Sequence, residues 1–466
     1  MVPMHVGDED APQLGDTQVA AQKLMLGGLT AVEQPEIRPL GQTQGDGRNV
    51  AAAARNAGTG AEKGDLQWPS VDAPALMVPR RRTMPILPLI TASALLAPGT
   101  QELRVLLVKL EALRVVPAAG ERLQVLDADG QSLGVFARGV SLKATSDGIA
   151  GLGRPQQLIW IRPRRSSGSL WLQQRRYRGL LKLQLDQGRL KVINRVALPD
   201  YLASVVGAEM PHHWPEAALQ VQAVASRTYA LRQRQPQADY DLGATVSSQV
   251  YRGMESETDS TRQAVASTRN EVLTHSDRLI DAVFHSSSGG VTENSGEIWR
   301  YQLPYLKSVP DFDESSPVHR WRQPLHRRQL QRAFAEIGGV ELIQPLQRTS
   351  SGRLRRVLVR GPRGELELSG AQLRRRLKLR SSFVRFEATD EAVNPIASLR
   401  DWLGLRPQLI AIGRGWGHGV GLSQWGALAL SRRGSSYREI LGHYYKGTEV
   451  KAYRPAPGWP LPPPPP

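Results

Sequence analysis

From about Glu102 to Leu198, apolar and polar residues alternate in short runs: "RVLLVKLEAL", "LQVLDADGQSLGVFA", "QLIWIRP" and "LWLQQRRYRGLLKLQLDQGRLKVIN". Alternation of period two sends one face of a strand into a core and the other to water. The "ADG" and "DQG" breaks suit hairpin turns, so the pattern predicts an antiparallel β region. At Pro199 the pattern turns helical and stays so to about Arg234. Pro215 and Glu216 open a helix as a first-turn proline and acid do, and "AALQVQAVASRTYALRQRQ" is rich in helix formers. Residues 241–310 mix short strands and loops. An arginine-rich section follows, with a helix expected near 326–336 and strands in "RLRRVLVRG" and "GELELSG". A last helix is expected from about Ser423 to Arg433, with Ser423 as its N-cap. The sum is an α+β fold: an antiparallel β-rich N-terminal region, then a mixed helix and strand core with an inserted arginine-rich α+β section.

The flanks read differently. Residues 1–76 are rich in Gly, Ala, Gln and Asp without periodicity, a disordered leader or an over-extended reading frame. Residues 77–99 resemble a secretory signal: Arg80, Arg81 and Arg82, then an uncharged run from Pro85 to Ala97 with "ASA" near its end. That places the expected start at Met77 or Met84. It also implies an extracytoplasmic location, periplasm or cell wall, with membrane contact only through the export signal. The run is short for a bilayer span. The expected divisions are thus 1–76, 77–99, a β-rich part at 100–198, a catalytic core at 199–315, the arginine-rich section at 316–386, a glycine-rich segment with C-terminal helices at 387–454, and a proline-rich tail at 455–466.

Charge narrows the partners. The chain has 466 residues and a formal charge of +17, which favours anionic surroundings such as nucleic acid, membrane or cell wall. It has no cysteine, which removes disulfides, thiolate metal sites and cysteine nucleophiles.

Three segments could carry chemistry. In "YLASVVGAEMPHHWPEAALQVQAVASRTYAL", Tyr201 to Leu231, two carboxylates lie close together. Glu216 in the first turn of a helix is held ionised by the dipole and makes a poor proton donor. Glu209, with Met210, Pro211 and Trp214 beside it, is the better general acid if those neighbours exclude water. The same pattern also describes a glutamate at a solvated loop edge. On the following helix Gln222, Ser226 and Tyr229 share one face, and Arg227 could hold a carboxylate or substrate oxygen in its planar fork.

In the second segment, "AVFHSSSGGVTENSGEIWRYQLPYLKSV", His285 is followed by the small loop Ser286–Gly290. No G-x-S-x-G elbow is present. The loop suggests proximity to a polar ligand, and Trp299, Tyr301 and Tyr305 offer flat surfaces to sugars. The third, "GRGWGHGVGLSQWGA", has glycine at positions 413, 415, 417, 419 and 421. As an extended segment it would carry all five on one face, open to close approach by a backbone or ligand, with Arg414, Trp416 and His418 on the other. It contains neither a phosphate-cradling register nor a metal motif.

Taken in order, "RRYRG", "INRVALPDYLASVVGAEMP", "EAALQVQAVASRTYAL", "SSQVYRG", "FHSSSGG", "PYLKSVPDFDE", "GRGWGHGVGLSQWGA" and "YREILGHYYKGTEV" resemble the SpoIID/LytB family, named for a sporulation protein and an amidase enhancer. The resemblance spans roughly Arg104 to Val450. It implies a lytic transglycosylase of peptidoglycan that cleaves the β-1,4 bond between N-acetylmuramic acid and N-acetylglucosamine in peptide-stripped strands. It puts Glu209 in the place of the essential acid and Arg227, Tyr229, His285, Ser286, Ser287, Gln424 and Tyr445 around the cleft, with Trp416 and His418 from the glycine segment. Some relatives hold a metal near the equivalent of "FHSSSGG", partly through cysteines. This chain has none, and neither metal nor cofactor is expected.

Two functions compete. One is the transglycosylase; the other is a non-catalytic glycan binder that stimulates a separate cell-wall amidase. Nucleic-acid binding draws only on charge and the run "RRRLKLR". It lacks a reading module, and export argues against it.

Overall fold

The computed structural model describes residues 101–389 and 407–453. The leader, the signal-like segment, the proline-rich tail and part of the segment 387–454 lie outside those residues. The described chain is α+β.

Alternation builds the N-terminal region as expected. In Ala112–Pro117, Leu113 and Val115 are buried while Ala112 and Arg114 face water. This strand is central in a five-stranded antiparallel sheet with Gly148–Ala150, Val140–Thr145, Leu170–Leu172 and Arg175–Tyr177. A seven-stranded sheet runs Leu242–Gly243, Glu102–Leu110, Arg189–Ala197, Leu180–Asp186, Leu158–Pro163, Leu123–Leu126 and Ser132–Phe136. Its pairings are antiparallel except the first, a short parallel one.

Arg189–Ala197 breaks the alternation, since every residue after Arg189 is buried. Its polar members are therefore paired. Asn194 donates to the carbonyls of Arg178 and Leu180 and accepts from Tyr251 Oη at 2.8 Å. Lys191 meets Asp239 at 2.6 Å, and Arg195 pairs with Glu102.

The strand leads directly into helix α1, Leu198–Glu209, with a proline in its first turn. Met210 leaves in extended geometry, as the residue before Pro211 must. Helix α2, Glu216–Arg232, begins after Pro215 and is buried almost all round, packed by α1, by α3 (Asp259–Ser267) and by two C-terminal helices. The face with Gln222 and Ser226 is thus interior, both residues being fully buried.

Within residues 321–411 a second hydrophobic core forms around Trp321, Phe334, Val357, Val359, Leu373 and Ala411. It lies among two three-stranded sheets and helices α4 (Arg327–Ala333) and α5 (Gly370–Leu377). The helix expected near 326–336 is α4 followed by a 3-10 turn, Ala335–Ile337. The strands expected from "RLRRVLVRG" and "GELELSG" are Leu354–Gly361 and Gly364–Ser369. Two more helices, α6 (Gln424–Arg432) and α7 (Tyr437–Tyr444), return to the first core. Ser423 caps α6 as expected, accepting from the N–H of Gly426. Among the described residues, no helix is long and apolar enough to cross a membrane.

The glycine segment differs from expectation. The strand Pro407–Arg414 ends at Arg414, and Gly415, Gly417, Gly419 and Gly421 all have positive φ, between 70° and 119°. The segment winds rather than extends, so the five glycines share no face. Close approach is nevertheless real. A Cβ on Gly417 would stand 2.6 Å from the Cβ of His285, and one on Gly419 2.5 Å from the Arg353 guanidinium. Glycine satisfies both demands, left-handed backbone and absent side chain.

Candidate functional site

Glu209 is the last residue of α1, half-buried, with Met210 and Trp214 buried beside it. One carboxylate oxygen accepts the N–H of Val250 at 3.0 Å; the other faces Nε2 of Gln424 at 3.5 Å. Burial raises its pKa above the ordinary carboxylate value, opposed by those two donors and by the charge of Arg252. Among the described residues its hydrogen-bond partners are those two groups, and neither is a carboxylate. Glu216, by contrast, is exposed and hydrogen-bonds Gln220.

The surroundings are pinned from three elements. Ser204 of α1 accepts the N–H of Arg252 at 3.2 Å, and Tyr201 donates to Gln249 at 3.0 Å. Gln249 donates in turn to the carbonyl of Ser226 in α2. Gln424, first residue of α6, is also 3.4 Å from Oε1 of Gln222, which donates to Ser226 Oγ. Trp425 stands edge-on to Trp214 with ring centres 5.1 Å apart. Hydrogen-bonded side chains of this kind hold a reacting group in one orientation. The result is one acid whose pKa burial raises, with fixed donors at both oxygens.

Gln249, the Val250 N–H and Arg252 were not singled out from the sequence. Their only signal was the segment "SSQVYRG", which carries no acid, base or metal ligand.

The other candidates divide. Gln424 joins Glu209. Arg227 does not: it is buried, and donates to the carbonyls of Glu271 and Val265 at 3.0 and 3.1 Å. Burial lowers it to about 10. Tyr229 is buried, its pKa pushed up to about 12 by burial. Tyr445 is fully buried and donates to the carbonyl of Val283.

A second group surrounds the glycine segment. His285 is buried, with Nδ1 donating to the carbonyl of Val420 at 3.1 Å; its Nε2 is buried without a partner. His418 donates from Nε2 to the Phe284 carbonyl and accepts the Val420 N–H at Nδ1, each at 3.0 Å. The rings of His285, His418 and Trp299 follow one another at 5.4 Å centre to centre. Burial holds both histidines neutral, His418 at about 3 and His285 well below its ordinary value. Trp416 is buried under the guanidinium of Arg380.

The serine loop faces inward. Ser286, Ser287 and Ser288 are buried; Ser287 donates to Asp313 and Ser288 to Asp311. Asp313 also contacts His319 Nδ1 at 3.0 Å. The aspartate stands between serine and histidine, so the histidine cannot take the serine's proton as a hydrolase triad requires. Among the described residues, no group of three His, Asp or Glu is arranged to hold a metal ion.

The two groups are joined. Phe284–His285 pairs in parallel with Leu422–Ser423, and the N–H of Trp425 donates to the Ser286 carbonyl. The segment that carries His418 thus delivers Gln424 to Glu209.

Known families and proteins match parts of this chain. The SpoIID family, described as Stage II sporulation protein, matches residues 186–275, and a domain of unknown function (DUF8618) matches residues 293–421. Stage II sporulation protein D of Bacillus amyloliquefaciens is 29% identical over 278 residues, 55% of this chain and 75% of that protein. An uncharacterised protein of Brachyspira hyodysenteriae is 29% identical over 266 residues, 56% of this chain and 68% of its own. An amidase enhancer of Bacillus subtilis is 29% identical over 295 residues, 54% of this chain and 40% of that protein.

Proposed function

The chain belongs to the SpoIID/LytB family, and from the setting of Glu209 we propose that it is a lytic transglycosylase of peptidoglycan. A cell-wall-related function follows from the family; the reaction and its acid are our reading. The observation that carries it is a half-buried carboxyl group between the buried Met210 and Trp214, hydrogen-bonded among the described residues to the Val250 N–H and the Gln424 amide and to no second carboxylate. A hydrolase needs a second carboxylate to activate water or form a glycosyl ester. An intramolecular displacement needs one group that gives a proton and takes one back.

In this mechanism Glu209 protonates the glycosidic oxygen between N-acetylmuramic acid and N-acetylglucosamine, and that C–O bond breaks. The muramic acid 6-hydroxyl attacks the anomeric carbon and gives its proton to the Glu209 carboxylate. The products are a 1,6-anhydro-muramic end and a free 4-hydroxyl, and the acid is regenerated. The N–H of Val250 and the amide of Gln424 steady the carboxylate between the two transfers. Work outside the cytoplasm accords with the signal-like segment.

The test incubates the wild-type chain and Glu209→Gln with purified peptide-free glycan strands and reads products by mass spectrometry. Anhydro-muramic ends from wild type alone establish the reaction and its acid together. Hydrated reducing ends replace it with hydrolysis. Binding without cleavage by either chain, with stimulation of an added amidase, establishes the amidase-enhancer reading, which the similarity to the Bacillus subtilis protein keeps in view.

A further inference from the structure

Between the first core and the arginine-rich section lies a cavity of about 270 Å³, lined by Trp299, Arg355, Arg374, Gly417, His418 and Glu297 among others. Its chemistry is that of a receptor for an anion on a flat ring. Arg374 gives its Nε to the carbonyl of Leu379; among the described residues its two terminal nitrogens have no protein partner. Burial lowers its pKa to about 10, which leaves it charged at neutral pH. Arg355 stands exposed at the rim.

The lining also holds one acid. Glu297 accepts from the N–H and hydroxyl of Ser350 and from the amide of Asn294, and against burial these donors, with the charge of Arg355, hold its pKa below the ordinary carboxylate value. Its single negative charge lies nearest Arg355 and leaves Arg374 without a carboxylate partner among the described residues. Arg356, also in the lining, is paired across its hairpin with Glu367 at 2.5 Å. The start of α5 contributes Gly370 and Ala371 to the wall, where helix N–H groups point outward. The indole N–H of Trp299 is buried with no partner, and its ring meets His418 at 5.4 Å.

We infer that this cavity is a subsite of the glycan-binding surface that reads the free lactyl carboxylate of peptide-stripped muramic acid, with Arg374 as its anchoring residue. The inference rests on the transglycosylase or glycan-binding reading above. Its geometry accords with one continuous strand. His418 in the cavity wall and Gln424 beside Glu209 are six residues apart, which the chain cannot stretch beyond about 22 Å. The chemistry is selective. N-acetylglucosamine has no carboxylate, and a muramic acid that still bears its stem peptide has an amide in that position. A planar guanidinium distinguishes a carboxylate from an amide by charge and by paired hydrogen bonds.

The experiment titrates the uncleaving Glu209→Gln chain, at fixed salt, with peptide-free glycan oligomers and with the same oligomers amidated at the lactyl carboxylate. The acid form is expected to bind about tenfold tighter. Adding Arg374→Gln should erase that ratio and leave binding of the amidated form unchanged; Arg374→Lys should recover part of it. Arg375→Gln removes the same charge from the exposed neighbouring position and should leave the ratio intact. Equal losses from Arg374→Gln and Arg375→Gln, or a ratio unaffected by either, overturn the subsite. If Arg374→Gln does not fold, Arg355→Gln at the rim must lower the ratio instead, and failure to do so overturns it equally. Binding of neither oligomer by the Glu209→Gln chain would sink the glycan reading itself, a different result from binding without discrimination.

Discussion

The amide of Gln424 reaches Oε2 of Glu209 across 215 positions of sequence, its Nε2 standing 3.5 Å from the carboxylate. Neither residue arrives there by accident of a loose side chain. Glu209 ends α1, and Gln424 begins α6 behind a buried cap, steadied by Gln222 from α2. Three helices therefore meet at one carboxyl group. Together they half-bury it, which raises its pKa, while supplying a donor for its ionised form.

Gln424→Ala should move the alkaline limb of activity to higher pH. The amide stabilises the ionised carboxylate and so lowers a pKa that burial has raised. Removing it raises that pKa further, and the protonated form that starts the reaction persists to higher pH. A hydrogen bond to a carboxylate contributes on the order of 1 kcal/mol, so the limb should shift by roughly 0.5–1 pH unit. A pH profile of kcat/KM for both chains measures it. A limb displaced to lower pH, or one that does not move, removes Gln424 from the acid's environment.

Much of this arrangement was legible in the residues. Alternation at Ala112–Pro117 and helix formers after Pro215 became the elements they predict. Glu209 stood out because apolar neighbours surround a carboxylate. Two things were not legible, for physical reasons. The donor from Val250 is a backbone N–H, which no side chain advertises. The glycine segment misled because glycine serves both extended and left-handed backbone. Its period of two looked like a strand, yet four of its glycines take positive φ. Arg227 misled for a third reason: a fork that could hold a substrate carboxylate holds backbone carbonyls equally well.

Arg227 should accordingly prove structural. Arg227→Leu removes a buried donor from the carbonyls of Glu271 and Val265, the second of which keeps the Thr268 hydroxyl, a cost of roughly 2–4 kcal/mol. The strand Glu271–His275 is also tied to α7, since Glu271 accepts from Tyr437 and pairs with Arg438. Thermal unfolding should therefore show a lower melting temperature, while KM for glycan strands measured well below it stays within about twofold of wild type, a difference of only ~0.4 kcal/mol. A tenfold rise in KM with unchanged melting would return Arg227 to the substrate.

His418 gives the fold an acid sensitivity whose sign can be worked out. Its folded pKa is about 3, lowered by burial first and by nearby arginine charge, against an ordinary value of 6.5. Below pH 6.5 the unfolded chain takes up a proton that the folded chain refuses. Stability is therefore complete above pH 6.5 and falls as pH drops towards 3, by at most about 1.4 kcal/mol per pH unit from this residue. His418→Gln keeps a donor for the Phe284 carbonyl and an acceptor for the Val420 N–H, but cannot titrate. His285 remains in the variant and loses stability with acid in the same direction, so the difference between the chains isolates His418. Urea midpoints at pH 7, 6 and 5 should show the variant gaining on wild type as pH falls, by about 1–2 kcal/mol between pH 7 and 5. A constant difference would mean that His418 titrates alike in the folded and unfolded chains, and that the ring between His285 and Trp299 is open to protons.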